Sequence, residues 1–210
     1  ENCAAKVERF SNGKKFAVHD IWEKACSGGY AQGCRNSGFI YRTGYGLQSD
    51  MELAISNYET GCEKGDGVSC NTLAGIYLED GEQPIDEKKA FDLLEKACVQ
   101  EDSYGCNNLG WSYEMGIGTE IDYAQAISLY RSGCDDGFMP ACTNLGKIHL
   151  SNKALQQDLH TAVEYFAKSC DQNDITGCIL LSRAYENGEG VPADKEEAAR
   201  LLYRYCTDSA

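Results

Sequence analysis

The sequence predicts an all-α protein, an α/α solenoid of paired helices. Three observations predict it: cysteines that recur in register, small and bulky residues that repeat in the same frame, and helical spacings inside each unit. The cysteines stand at 3, 26, 34, 62, 70, 98, 106, 134, 142, 170, 178 and 206. From 26 to 178 the gaps alternate between 8 and 28, a 36-residue period held over five turns. Periods of this size mark solenoids, whose units bury their apolar faces only by stacking.

Each unit opens on helix A, near the second cysteine of a pair. Three residues on come Ser37, Leu73, Leu109, Leu145 and Leu181, then the small Gly38, Ala74, Gly110, Gly146 and Ser182. Tyr41, Tyr77, Tyr113, His149 and Tyr185 follow seven residues after the cysteine. Offsets of 3, 4 and 7 are helical. The turn that follows carries Gly44 and Gly46, Gly81, Gly116 and Gly118, Asn152, or Gly188 and Gly190, where glycine supplies positive φ. Asp50, Asp86, Asp122, Asp158 and Asp194 are placed to cap helix B. Helix B turns Ala54, Ala90, Ala126, Ala162 and Ala198 to the core. Four residues later come Tyr58, Leu94, Tyr130, Phe166 and Leu202. It stops near the first cysteine of the next pair, with Gly28, Gly65 and Gly137 as stop signals.

The seven residues between paired cysteines are read as a loop. Antiparallel helices joined this way bring two Cα atoms into disulfide range, so Cys26–Cys34, Cys62–Cys70, Cys98–Cys106, Cys134–Cys142 and Cys170–Cys178 are the expected bridges. Each contributes about 2.6 kcal/mol in the loop-entropy account. Cys3 and Cys206 are left over, each free, paired across molecules, or the remnant of a longer array. No Cys-x-x-Cys occurs, so the common zinc and thioredoxin-like spacings are missing. Bridges imply an oxidising compartment. The chain opens on Glu1 rather than Met, which fits a removed signal peptide or a cut chain. A periplasmic or secreted location is expected.

These columns resemble the Sel1-like repeat; "CNNLGWSYEMGIGTEIDYAQA" (106–126) and "CILLSRAYENGEGVPADKEEAA" (178–199) follow its pattern closely. The paired cysteines resemble its disulfide-rich branch, like the Helicobacter cysteine-rich proteins. The resemblance implies tetratricopeptide-like helix pairs over 34–69, 70–105, 106–141, 142–177 and 178–210. Residues 1–33 are read as a degenerate capping pair, in which Val18 and Trp22 take the alanine and bulky columns. It also implies an adaptor or binding scaffold. Some cysteine-rich members bind or slowly hydrolyse β-lactams, others are periplasmic immunity proteins, and cysteine-paired members serve as organelle assembly factors.

Composition narrows the partner. The formal net charge of −14 argues against nucleic acid, which is bound through many lysine and arginine contacts. No apolar run approaches the roughly 18 residues of a membrane span, so no membrane insertion is expected. Ser11-Asn12-Gly13-Lys14 spells Ser-x-x-Lys, but no Lys-Thr-Gly or Ser-Asp-Asn accompanies it; no catalytic residue is assigned. His149 sits in the tyrosine column and reads as core, and His19 and His160 read as surface. No second His stands at i+4, so no metal site and no cofactor are expected.

In tetratricopeptide-like stacks, helix A lines a concave groove. Its non-core columns hold Arg35, Phe39 and Arg42; Asn71, Gly75 and Leu78; Asn107, Trp111 and Glu114; Thr143, Lys147 and Leu150; and Ile179, Arg183 and Glu186. They vary where the core columns do not. Phe39 and Trp111 are aromatic where a solvated face favours polar residues, and tryptophan, tyrosine and arginine dominate interface energetics. The expected function is a non-catalytic scaffold that binds another protein, an effector enzyme or an envelope component, with an immunity or regulatory duty. An acidic segment in the groove or a basic protein on the outer acids both fit the charge.

Overall fold

The computed structural model describes residues 18–79, 81, 84–151 and 157–207, with side chains described as far as Tyr203. The first half of the expected capping pair, with Ser11, Lys14 and Cys3, lies outside the described residues, as does the Cys206 side chain. Eleven helices are described: α1 Val18–Ser27, α2 Ala31–Thr43, α3 Met51–Glu63, α4 Gly67–Leu78, α5 Glu87–Val99, α6 Ser103–Met115, α7 Tyr123–Asp135, α8 Met139–Leu150, α9 Leu159–Asp171, α10 Ile175–Asn187 and α11 Lys195–Thr207. The even-numbered helices are the A helices and the odd-numbered ones the B helices. No strand occurs among the described residues.

The chain divides into two compact units: Glu1–Asn108 with Ile117–Thr119, and Leu109–Gly116 with Glu120–Ala210. In the first, α1 to α5 pack each on its neighbour in sequence; α7 to α11 do so in the second. The core columns are where the periodicity puts them. In the first unit Tyr58, Leu73 and Leu94 are buried, and in the second Tyr130, Leu145 and Phe166. The small column of helix A faces the bulky column of helix B. A Cβ on Gly146 would stand 2.6 Å from the Phe166 ring, and one on Gly110 2.8 Å from Tyr130. Close approach therefore requires the small residue, as any larger one would overpack the contact.

All five capping aspartates accept from backbone N–H groups of the following helix: Leu53 to Asp50, Lys89 to Asp86, Ala124 and Gln125 to Asp122, Thr161 to Asp158, and Glu196 and Glu197 to Asp194. The same residues close the A–B turn a second way. The backbone N–H of Asp50, Asp86, Asp122, Asp158 and Asp194 donates to the carbonyl of Tyr41, Tyr77, Tyr113, His149 and Tyr185, at 2.8–3.0 Å.

Three expectations are corrected. The segment between paired cysteines is not a seven-residue loop. The first cysteine sits in the last turn of helix B and the second in the first turn of helix A, leaving three residues between α3 and α4, Lys64 to Asp66. The glycine stop near Cys26 is Gly29, at φ +97°, not Gly28. Its column continues as Gly65, Glu101, Gly137 and Asn173, all left-handed, the usual way a helix ends. Leu202 is 43% exposed although Tyr58, Leu94, Tyr130 and Phe166 in its column are 2% or less. Among the described residues no helix follows α11 to cover its far side.

Candidate functional site

The described disulfides are Cys26–Cys34, Cys62–Cys70, Cys98–Cys106, Cys134–Cys142 and Cys170–Cys178, with Cα separations of 4.4–4.7 Å. One per repeat, they tie the start of each of these A helices to the end of the preceding B helix. The residue before each cysteine sets how close the helices come. Each pair combines one glycine with one alanine or serine: Ala25 with Gly33, Gly61 with Ser69, Ala97 with Gly105, Gly133 with Ala141, and Ser169 with Gly177. A Cβ added to any of these glycines would stand 2.5–3.1 Å from its partner's Cβ. The crossing has room for a single Cβ.

The position after the second cysteine, expected to read a partner, behaves differently from the rest. Arg35 Nη1 reaches forward to Asp66 Oδ1 at 2.9 Å, the N-cap of the next A helix. Asp66 is 8% exposed and also accepts from the Ser69 amide and hydroxyl. Thr143 is buried and donates to Asp174 Oδ2 at 2.7 Å, again the N-cap of the next A helix. Asn71 Oδ1 accepts from Asn108 Nδ2 at 2.9 Å. These groups latch one repeat to the next. Asp66, Asp102 and Asp174 as helix-A caps were not singled out in the sequence. Their signal was an aspartate four residues before the second cysteine. Burial raises the Asp102 carboxyl above the usual range, and the neighbouring Asp66 adds to the rise; the amide of Gly105 and the charge of Arg35 offset part of it.

The fifth position after the second cysteine faces solvent. Phe39 on α2 is 55% exposed and Trp111 on α6 is 42% exposed. Lys147 on α8 and Arg183 on α10 are exposed in the same column, and Gly75 has open space around it. In the eighth column, Arg42 lies 3.5 Å from Glu79, and Leu78 is partly covered. Glu114 accepts from the Tyr130 hydroxyl at 3.0 Å, while Glu186 is exposed. Asn107 is half-buried on α6 and Ile179 is exposed on α10. In the second unit a cavity of about 30 Å³ lies between Leu150, Phe166, Leu180 and Arg183. That is room for one or two water molecules.

His149 packs inward as expected, stacked on Tyr165 with ring centroids 5.6 Å apart, and His160 is on the surface, 75% exposed. His19 differs from expectation: it is only 28% exposed and lies beside Asp20. No described helix is long and apolar enough to cross a membrane. Five disulfides suit a protein that matures in an oxidising compartment, which points to export.

The Sel1 repeat model matches residues 31–66, 68–101, 103–138, 140–174 and 175–206. No curated protein matches the chain. Among solved structures, a Sel1 repeat protein from Oxalobacter formigenes is similar at 22% identity and TM-score 0.79, over 88% of this chain and 74% of that one. The protective antigen c5321 of uropathogenic Escherichia coli is similar at 22% identity and TM-score 0.78. That match covers 91% of this chain and 41% of the antigen, so the chain spans about two fifths of that relative's length. The immunity protein Pa5087 of Pseudomonas aeruginosa shares the fold at 16% identity and TM-score 0.61, over 97% of this chain and 79% of that one. With five consecutive repeats matched and the helix pairs, caps and turns in the same frame, the chain belongs to the Sel1 repeat family.

Proposed function

We propose that the protein is an exported, non-catalytic scaffold of the periplasm or extracellular space that binds another protein through the exposed positions of its A helices. The observation that carries this reading is the fifth column. It presents Phe39 in the first unit and Trp111 in the second to solvent, each on an A helix whose start a disulfide ties to the preceding B helix. A large aromatic has only two side-chain torsions to lose, so covering it gains contact area at little entropic cost. Lys147 and Arg183 in the same column favour a partner surface that offers carboxylates. Shared fold with an immunity protein supports an effector-neutralising duty for this chain as well.

The test compares capture of partners from envelope extract by the wild-type chain and by Phe39→Ala with Trp111→Ala. A control, Lys88→Ala, changes an exposed residue of α5, a B helix. The reading expects one partner retained by wild type and control and lost by the double variant, with helical content unchanged. Equal retention by all three removes it.

A further inference from the structure

We propose that His19, Asp20 and Glu23 form a binding site for a divalent first-row transition cation, with zinc as its probe. The three stand on α1 at i, i+1 and i+4, and their donor atoms all lie within 4.8 Å of one another. The i, i+4 spacing sets His19 and Glu23 on one helix face. Asp20 comes in beside them, its Oδ1 2.9 Å from His19 Nε2. Tetrahedral zinc, with bonds of about 2.0–2.2 Å, places its donors roughly 3.4 Å apart. Small side-chain rotations therefore bring three donors onto the ion, with water as the fourth ligand. A neutral imidazole with two carboxylates balances a divalent ion. One nitrogen and two oxygens suit zinc and its neighbours better than calcium, which takes six to eight oxygens.

The cluster is held from a second helix, which separates it from a run of surface acids. Tyr41 of α2 donates its hydroxyl to Glu23 Oε1. Its ring meets the His19 ring edge-on, with centroids 6.4 Å apart at 71°. Such outer partners fix ligand orientation before an ion arrives and commonly change affinity 10- to 100-fold. All three ligands are part-buried. His160 and Glu164 make the contrast: the same spacing, but 75% and 65% exposed and, among the described residues, without a third ligand. An ion bound here would join α1 to α2 through Tyr41, alongside the Cys26–Cys34 bridge. This site is independent of the partner-binding reading.

The test is calorimetric titration of the metal-stripped full chain with Zn²⁺, with Cys3→Ser and Cys206→Ser in the background so that no thiol competes. One ion per chain is expected. His19→Ala and Glu23→Gln should each weaken binding at least tenfold, Tyr41→Phe about tenfold, and His160→Ala not at all. Failure to bind one ion per chain, or affinity unchanged in both His19→Ala and Glu23→Gln, overturns the site. So does loss of binding in His160→Ala alone.

Discussion

Arg35 and Asp66 form an ion pair at 2.9 Å that crosses from one repeat to the cap of the next. The arginine side chain is 28% exposed and the aspartate 8%. Asp66 thus does two things at once, holding the N-terminus of α4 and receiving the latch from α2. Removing the arginine leaves a nearly buried carboxylate short of one donor, a loss that partial exposure reduces. Arg35→Met should cost about 1–2 kcal/mol. Asp66→Ala should cost about 2–3 kcal/mol, because the cap is lost too. Urea unfolding of the single and double variants, with disulfides intact, measures the coupling. Additive costs would show that the pair does not join the repeats.

Ala97 and Gly105 share a crossing with room for one Cβ: a methyl on Gly105 would stand 2.5 Å from that of Ala97. Gly105→Ala should destabilise the protein by about 1–3 kcal/mol through overpacking. Adding Ala97→Gly should recover most of this, since the methyl has only changed sides. The same unfolding experiment reads both variants. A double variant no more stable than the single one would contradict the shared space.

The buried phenols set an alkaline limit. Burial, reinforced by Glu114, pushes the Tyr130 hydroxyl well above its ordinary range, and burial raises Tyr58 as well. A group whose pKa is raised by folding stabilises fully below its unfolded value and loses that contribution as pH rises towards the folded one. Stability should therefore hold up to about pH 10, where unfolded tyrosine ionises, and fall above it. Tyr130→Phe should lower stability at neutral pH by about 1 kcal/mol, the worth of its hydrogen bond to Glu114, and flatten the alkaline decline. A decline of unchanged steepness would assign the sensitivity elsewhere.

A cap that the sequence shows should be felt. Asp50 accepts from the Leu53 amide at 2.9 Å, and Asp50→Ala should cost about 1 kcal/mol. Asp50→Ser should cost little, because a hydroxyl caps nearly as well. Thermal melts of the two variants distinguish lost capping from a general effect of removing charge.

The helix-pair frame was legible because each column answers to one local cause. Alanine opposite a bulky residue, glycine at positive φ and aspartate before a helix each appear at fixed intervals in the chain. The inter-repeat contacts were less legible. Arg35 and Thr143 look like reading positions when helix A is taken alone. They turn inward because the next repeat presents an N-cap aspartate there, and that cap was hidden by reading the cysteine-flanked segment as loop. From its place near a helix start alone, His19 reads as a surface residue. Its partner Tyr41 lies on another helix, 22 residues on. Phe39 and Trp111 were legible as departures from a polar column, and both are exposed.

The proposed partner-binding scaffold rests on five local clips. Non-reducing peptide mapping of the protein from its own cells, with free thiols blocked at lysis, tests them directly. The account predicts linked peptides for 26–34, 62–70, 98–106, 134–142 and 170–178. Five blocked, unlinked pairs, or links that join different repeats, would contradict it.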